Sequence, residues 1–149
     1  EELRGNDQGE LLALVKMHEL ACQQGPWDEC AAAQKLAAKL IDTAEYTQAW
    51  QVLERTAPSL EEAQPDWYRL GLGRFWLESC MDILLGTADA AQRRTVWQWS
   101  APYLKCTLDN MHGKLYEKAA QAAELMQDDS LVKELRQRLA ENRKALEAW

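Results

Sequence analysis

Apolar residues recur every three or four positions along most of the chain, which is the period of helices that each bury one side. The first such run is interrupted at Gly25-Pro26, a pair that stops a helix. It consists of Leu11, Leu12, Val15, Leu20 and Cys22. No segment alternates several β-branched residues with polar ones between turn residues, as a strand would. The sequence therefore predicts an all-α fold with about seven helices.

Two more helices are expected after Gly25. Asp28 is a natural N-cap for the second helix, and the third is expected to begin near Ala44. The third is expected to end near Ala57-Pro58, because proline lacks a backbone donor and clashes with the preceding turn. Residues 59–65 are then predicted to form a loop with a helical turn.

The middle of the chain predicts three further helices. The fourth, capped by Asp66, is apolar on almost every side, as is typical of a helix at the centre of a core or along a groove. A shorter fifth helix is expected over about residues 89–99. Pro102 fits the first turn of a long sixth helix that Ser100 begins and that continues to Met126.

The C-terminal part predicts a helical hairpin. Apolar residues keep a spacing of three and four from Leu104 to Met126 and again from Leu131 onwards. Between these runs, Asp128-Asp129-Ser130 predicts a tight turn with a helix cap. The last two helices are therefore expected to form an antiparallel αα-hairpin over about residues 101–148, within a single domain that spans residues 1–149.

Composition and charge exclude several roles. The chain has 149 residues, of which 47% are hydrophobic, enough for a folded core. Its net charge of -7 argues against binding to nucleic acid or to an anionic membrane, since both need a basic surface. No apolar run reaches the roughly 18 residues that span a bilayer. The chain opens on acidic and polar residues, as a mature protein does after removal of a signal peptide or lipid anchor.

Residues at a constant interval indicate an internal repeat. Three positions of one segment recur 34 residues later in another. The pairs are Ala33 and Trp67, Leu36 and Leu70, and Ala37 and Gly71. This period, with the pattern Trp-x-x-Leu-Gly, resembles the first helix of a tetratricopeptide (TPR) repeat. The segment AEYTQAW, residues 44–50, resembles the start of the second helix, where the small Ala49 lets two helices approach closely.

The resemblance covers about residues 28–77 and implies stacked antiparallel helical pairs in a TPR-like superhelix. The implied pairs occupy about residues 28–58 and, in degenerate form, 66–99. In such a stack the first helix of each pair lines a concave face that binds other proteins or peptides.

The spacing of the first two cysteines resembles that of a second repeat family. Cys22, Cys30 and the following Leu36-Ala37 resemble the secreted, cysteine-rich Sel-like repeats, relatives of the TPR family, in which this pair of cysteines is bonded. The resemblance implies a Cys22–Cys30 disulfide. A Cys80–Cys106 disulfide would complete the set, although sequence alone does not fix the connectivity of four cysteines. Disulfides would place the protein in the periplasm or outside the cell, whereas four free thiols, the alternative, are typical of the cytoplasm.

The chain shows no recognisable catalytic or cofactor motif. Residues 18–22, HELAC, begin like the zinc-binding H-E-x-x-H helix, but Cys22 replaces the second histidine. No C-x-x-C knuckle, phosphate-binding loop or nucleophile motif occurs. The sequence therefore predicts a protein that is not an enzyme and that holds no metal or cofactor. The enzyme alternative requires polar groups that converge around His18 or His112.

Tryptophan is unusually common, with 7 Trp against 1 Phe. Trp50, Trp67 and Trp76 are expected in the core. For Trp97 and Trp99, near a helix junction, core packing and an exposed binding patch are both open, because large aromatic side chains are favoured anchors at interfaces.

The predicted function is that of a non-catalytic helical-repeat module that binds another protein or peptide, as an envelope assembly scaffold or as an accessory of secretion or pilus assembly. The expected contact residues are Gln34, Ala38, Ile41, Tyr68, Arg69, Leu72, Arg74, Phe75, Trp97 and Trp99. The alternative is a small helical inhibitor or immunity protein that blocks an envelope enzyme. Its acidic charge would speed association with a basic target, and Ser59–Pro65 would be its protruding segment.

Overall fold

A computed structural model of the chain describes residues 5–63, 71–109, 111 and 113–147. Within these residues the chain forms seven helices and no strand, so the all-α prediction is confirmed. The helices are α1 (Gly5–Ala21), α2 (Pro26–Asp42), α3 (Tyr46–Ala63), α4 (Gly71–Gly86), α5 (Ala90–Cys106), α6 (Gly113–Leu125) and α7 (Asp129–Glu147). None of the described helices is both long enough and apolar enough to cross a bilayer.

The chain divides into two compact units, Glu1–Ser79 and Cys80–Trp149, and the boundary lies within α4. In the first unit, α1 packs on α2 and α2 packs on α3. In the second unit, α6 packs on α7, which is the predicted C-terminal hairpin. Neighbouring helices therefore pack as adjacent pairs, as the sequence predicts. The prediction of one domain over residues 1–149 stays a prediction.

Alanine residues allow the close packing of α2 on α3. Ala33 and Ala37 on α2 and Ala49 on α3 are fully buried. A methyl side chain lets two helix backbones approach closely, and larger side chains nearby fill the remaining space. Next to this contact the Trp50 and Trp76 rings lie 6.5 Å apart, and the Trp76 Nε1–H donates to the Leu53 carbonyl at 2.8 Å. Both rings are core residues, as expected; Trp67 lies outside the described residues.

The start of α2 differs from the prediction. Gly25, not Asp28, is the N-cap, and no side chain caps this helix. Gly25 has a φ of 138°, a conformation that side chains rarely adopt, and Pro26 follows in the first turn, where its missing N–H costs nothing. Asp28 instead lies in the first turn, where its negative charge interacts favourably with the positive end of the helix dipole. The predicted cap at Asp66 lies outside the described residues.

The prediction that α3 ends near Pro58 is wrong, since the helix continues to Ala63. Leu53, Ala57 and Leu60 are buried along one side of the helix, so the apolar stripe crosses the proline. A proline inside a helix costs about 3 kcal/mol, and burying a leucine returns about 1.5–3 kcal/mol. Burial beyond the proline therefore offsets much of its cost.

The boundary between the fifth and sixth helices is also misplaced in the prediction. Pro102 lies inside α5, which continues to Cys106, and α6 begins only at Gly113. Ser100 and Leu104 are fully buried, so the buried side of α5 extends across the proline. Thr107 ends the helix, with its backbone N–H and its hydroxyl both directed at the Leu104 carbonyl.

The turn before α7 agrees with the prediction. The Asp128 Oδ1 accepts a hydrogen bond from the Leu131 N–H at 3.2 Å, and α7 begins at Asp129. Leu131 and Leu135 then face the buried side of the hairpin. The buried residues of α6 are Leu115, Tyr116, Ala119, Ala120, Ala122 and Ala123, so most of its buried side chains are small.

Candidate functional site

One face of α2 is left uncovered by the core of the first unit. It carries Trp27, Ala31, Gln34, Ala38 and Ile41, at alternating intervals of four and three residues, and is called the α2 stripe below. Residues at these intervals share one side of a helix. Trp27 and Ala38 are exposed and the other three are half-buried. The α2 stripe thus presents an exposed aromatic ring, small residues and one amide, with no charged side chain.

On one side, the α2 stripe borders a groove between α1 and α2. The groove has a volume of about 320 Å³, and Ala31 and Ala32 form part of its lining. Met17 and Leu20 line it from α1 and are 48% and 61% exposed. Asp28 and Lys35 supply its charges. The apolar surface therefore extends from α2 onto α1.

On the other side, the α2 stripe meets Phe75 of α4. Gln34 and Phe75 line the same crevice together with buried residues of α2 and α3. The crevice has room for about one water molecule, with a volume of about 10 Å³, so it is packed and too small for a ligand. Phe75 itself is 51% exposed. Met17, Leu20, Trp27 and Phe75 thus lie on one side of the first unit, spread over α1, α2 and α4.

The structure brings together some of the residues predicted to contact a partner. Gln34, Ala38 and Ile41 lie on the α2 stripe, and Gln34 meets Phe75. Arg74 is half-buried. In the second unit, Trp97 is half-buried and Trp99 is exposed. Tyr68, Arg69 and the side chain of Leu72 lie outside the described residues.

Trp27 is the contact candidate that sequence reasoning missed. It is 53% exposed and follows directly on Gly25-Pro26. Its position four residues before Ala31 and seven before Gln34 places it on the face that the TPR-like pattern assigns to binding. The helical interval from Trp27 to Gln34 was the sequence signal that could have identified Trp27.

A cluster of three polar side chains lies where α1 meets α2. His18 lies in the last turn of α1 and Cys22 directly follows that helix, and their Nε2 and Sγ atoms lie 3.8 Å apart. Glu29, in the first turn of α2, completes the cluster, and the three donor atoms all lie within 4.8 Å of one another. The Ser59 hydroxyl of α3 donates to the Glu29 Oε2 at 2.8 Å and holds the carboxylate in place. His18 is buried, and Cys22 and Glu29 are half-buried.

The cluster also sets the protonation of its members. Burial raises the pKa of the Cys22 thiol, and the negative charge of Glu29 acts in the same direction. Burial lowers the pKa of His18, assisted by the guanidinium of Arg55. His18 and Arg55 also line a groove of about 350 Å³, whose lining residues come from α1, α2 and α3. Polar groups thus surround His18, which by itself does not test the enzyme alternative, and His112 lies outside the described residues.

No family model, curated protein or solved structure matches this chain. The resemblance to TPR and Sel-like repeats therefore stays a hypothesis that is based on the residues alone. The partner, the absence of catalysis and the compartment likewise stay predictions.

The two predicted disulfides find no support in the structure, where all four cysteines are free. Cys22 is directed towards His18 and Glu29, while Cys30 lies on the buried side of α2. Cys80 is fully buried and Cys106 is exposed. The argument for an oxidising compartment depended on the disulfides, so the periplasmic or secreted location has no structural support.

Proposed function

We propose that the protein is a non-catalytic helical module whose α2 stripe binds an amphipathic helix of a partner protein. The observation that carries the proposal is the uncovered apolar surface of the first unit. Four of its large side chains, Met17, Leu20, Trp27 and Phe75, are each about half exposed or more. Exposed large apolar side chains that flank the same helix favour an interaction site in this region.

The spacing of the α2 stripe favours a helix as the occupant. Intervals of four and three residues are those at which a helix receives the side chains of a second helix between its own. The small side chains of Ala31 and Ala38 let the second backbone come close. Trp27 at one end supplies the large aromatic anchor that typically dominates such interfaces.

The flanking side chains favour an apolar stripe on that helix. Met17 and Leu20 lie on one side of the α2 stripe and Phe75 lies on the other. A helix seated on the α2 stripe would therefore cover apolar surface on both flanks. Asp28 and Lys35 carry charges of both signs, so they would favour a partner helix with charged residues of both signs at its margins.

The test selects helical peptides from a displayed library against the purified protein and measures their binding by anisotropy. Ala38→Arg places a long charged side chain on the stripe without touching the core, because Ala38 is exposed. We expect this variant to bind the selected peptides at least about 10-fold more weakly, since a buried unpaired charge costs more than 1.4 kcal/mol.

Ala140→Arg is the matched control, because Ala140 is an exposed alanine on α7 in the second unit. It should bind like the unchanged protein. If Ala38→Arg binds equally well, or if no peptide is retained, the α2 stripe is not the binding surface.

The inhibitor alternative gains no support from the described residues. Its expected protruding segment began at Ser59, but residues 59–63 belong to α3, and the Ser59 hydroxyl is bonded to Glu29. Pro65 lies outside the described residues.

A further inference from the structure

The cluster of His18, Cys22 and Glu29 has the donor set and the spacing of a metal site. Its three donors are an imidazole nitrogen, a thiol sulfur and a carboxylate oxygen, within 4.8 Å of one another. Zinc takes these three donor types, preferring nitrogen and sulfur. Among the residues that the structure describes, no fourth His, Cys, Asp or Glu joins them.

The separations are close to those of a bound zinc ion. A tetrahedral zinc ion at ~2.3 Å from a thiolate and ~2.0 Å from an imidazole holds these two atoms about 3.5 Å apart. The observed distance between the Cys22 Sγ and the His18 Nε2 is 3.8 Å. The third donor, a Glu29 carboxylate oxygen, lies within 4.8 Å of both other atoms.

We propose that the His18 Nε2, the Cys22 Sγ and a Glu29 carboxylate oxygen bind one Zn²⁺ ion, with water as the fourth ligand. Binding releases the thiol proton of Cys22 to solvent. The resulting thiolate and carboxylate carry two negative charges, which the ion neutralises. Three protein ligands and one water are the usual set of a zinc site that is not purely structural.

The backbone fixes the positions of the three ligands. The Cys22 N–H donates to the His18 carbonyl at 3.0 Å, so a helical hydrogen bond continues from α1 to Cys22 and fixes the spacing of these two ligands. The turn at Gly25 then brings Glu29 back beside them. His18 and Glu29 therefore come from helices, and Cys22 comes from the turn that directly follows α1.

Ser59 supplies a second feature of a metal site. Its hydroxyl holds the Glu29 Oε2 and so directs the carboxylate. Hydrogen bonds of this kind to a ligating carboxylate typically change metal affinity about 10- to 100-fold. The positive charge of the Arg55 guanidinium acts to lower the pKa of both His18 and Cys22, and so favours their deprotonated forms.

The site differs from the expectation drawn from the sequence. HELAC lacks the second histidine of a zinc-binding helix, and this argued against a metal. In the structure, Cys22 occupies that position four residues after His18 and is itself a zinc ligand by chemistry. The third ligand comes from the next helix, which the spacing along the chain did not reveal.

The experiment titrates reduced full-length protein with Zn²⁺ against a chromophoric chelator. The expected result is one zinc per chain, and binding at least about 100-fold weaker in Cys22→Ser and in His18→Gln. Cys106→Ser is the matched control, because Cys106 is an exposed thiol outside the cluster, and its affinity should be unchanged. Ser59→Ala should weaken binding about 10-fold.

A measurement on the unchanged protein guards against variants that fail to fold. Zn²⁺ should protect Cys22 from alkylation, as mapped by peptide mass spectrometry, and leave Cys106 reactive. Co²⁺ in place of Zn²⁺ should give a thiolate-to-cobalt absorption band that is missing in a folded Cys22→Ser variant. The proposal is overturned if Cys22 is alkylated equally with and without Zn²⁺, or if folded Cys22→Ser keeps full affinity. These outcomes do not depend on the helix-binding proposal.

Discussion

The two units of the chain differ in their surfaces more than in their cores. Both contain buried alanines at helix contacts. Among the described residues, the exposed large apolar side chains of the first unit are Leu12, Met17, Leu20, Trp27 and Phe75, and those of the second are Trp99 and Leu125. The similar cores explain why both units fold as helical pairs. The surfaces differ because the first unit exposes more large apolar side chains among the described residues.

Ion pairs are more numerous on the second unit than on the first among the described residues. Its pairs are Lys105–Asp128, Lys118–Asp82, Arg136–Glu124, Arg138–Asp109 and Arg143–Glu117. In the first unit, Lys39 lies 2.7 Å from Asp7 and 2.9 Å from Glu10 and so links α2 to α1. Ion pairs at a surface contribute little stability. The two units therefore differ in surface chemistry, and the proposed helix-binding surface lies on the unit that exposes more large apolar side chains.

The largest expected effect is on the stability of the first unit. It is measured by replacing one tryptophan in the core and one at the surface. Trp76→Ala should lower the free energy of unfolding by about 3–5 kcal/mol, because a buried ring and its hydrogen bond to Leu53 are lost. Trp27→Ala should change it by less than about 0.5 kcal/mol, since that ring is exposed. Urea unfolding followed by circular dichroism measures both. A large loss from Trp27→Ala would mean that this ring is a core residue.

The next effect concerns thiol chemistry in the two units. Burial raises the pKa of Cys30 to about 12 from 9.0, and burial also raises that of Cys80. Because only the thiolate reacts, a shift of this size lowers the reactive fraction of Cys30 at pH 8 about 1,000-fold. Timed alkylation of the reduced protein should label Cys106 first, and Cys30 and Cys80 only after unfolding.

The sign of the pH dependence follows from the same shift. Raising the pH towards 12 should increase the rate at Cys30, provided that the protein stays folded. If Cys30 reacts as fast as Cys106 near neutral pH, the buried position of Cys30 on α2 is wrong. Mass spectrometry without reduction would at the same time detect any Cys22–Cys30 bond.

The smallest effect tests the hairpin of the second unit. Asp128→Ala should cost about 1 kcal/mol, because it removes the acceptor of the Leu131 N–H at the start of α7. Asp128→Asn keeps a capping oxygen and removes only the charge that faces Lys105 at 3.6 Å, so its cost should be several-fold smaller. Thermal unfolding compares the two variants. Equal losses would show that the charge, not the cap, matters here.

The helical class and the order of the helices could be predicted from the sequence, because apolar residues recur at helical intervals along most of the chain. The turns at Gly25-Pro26 and at Asp128 were also recognisable, since each uses residues with a strong local preference. The ends of α3 and α5 were not, because both helices contain a proline that local rules treat as a stop. Burial beyond the proline depends on the neighbouring helix, which the local pattern does not contain.

The candidate sites were predictable only in part for the same reason. Gln34, Ala38 and Ile41 follow from one helix and its period, so a sequence pattern can identify them. The cluster at His18 requires knowing that Glu29, on the next helix, folds back beside Cys22. Residues brought together by a turn between helices have no fixed spacing in the sequence.

The neighbouring indole rings of Trp50 and Trp76 give the first unit an optical signature of its own. At a centroid separation of 6.5 Å and a tilt of 55°, their electronic transitions couple and should add a paired positive and negative band to the circular dichroism spectrum. The couplet would disappear when α3 and α4 separate, while ordinary helical bands report on both units. Loss of helix packing in one half of the chain can therefore be followed without any attached dye.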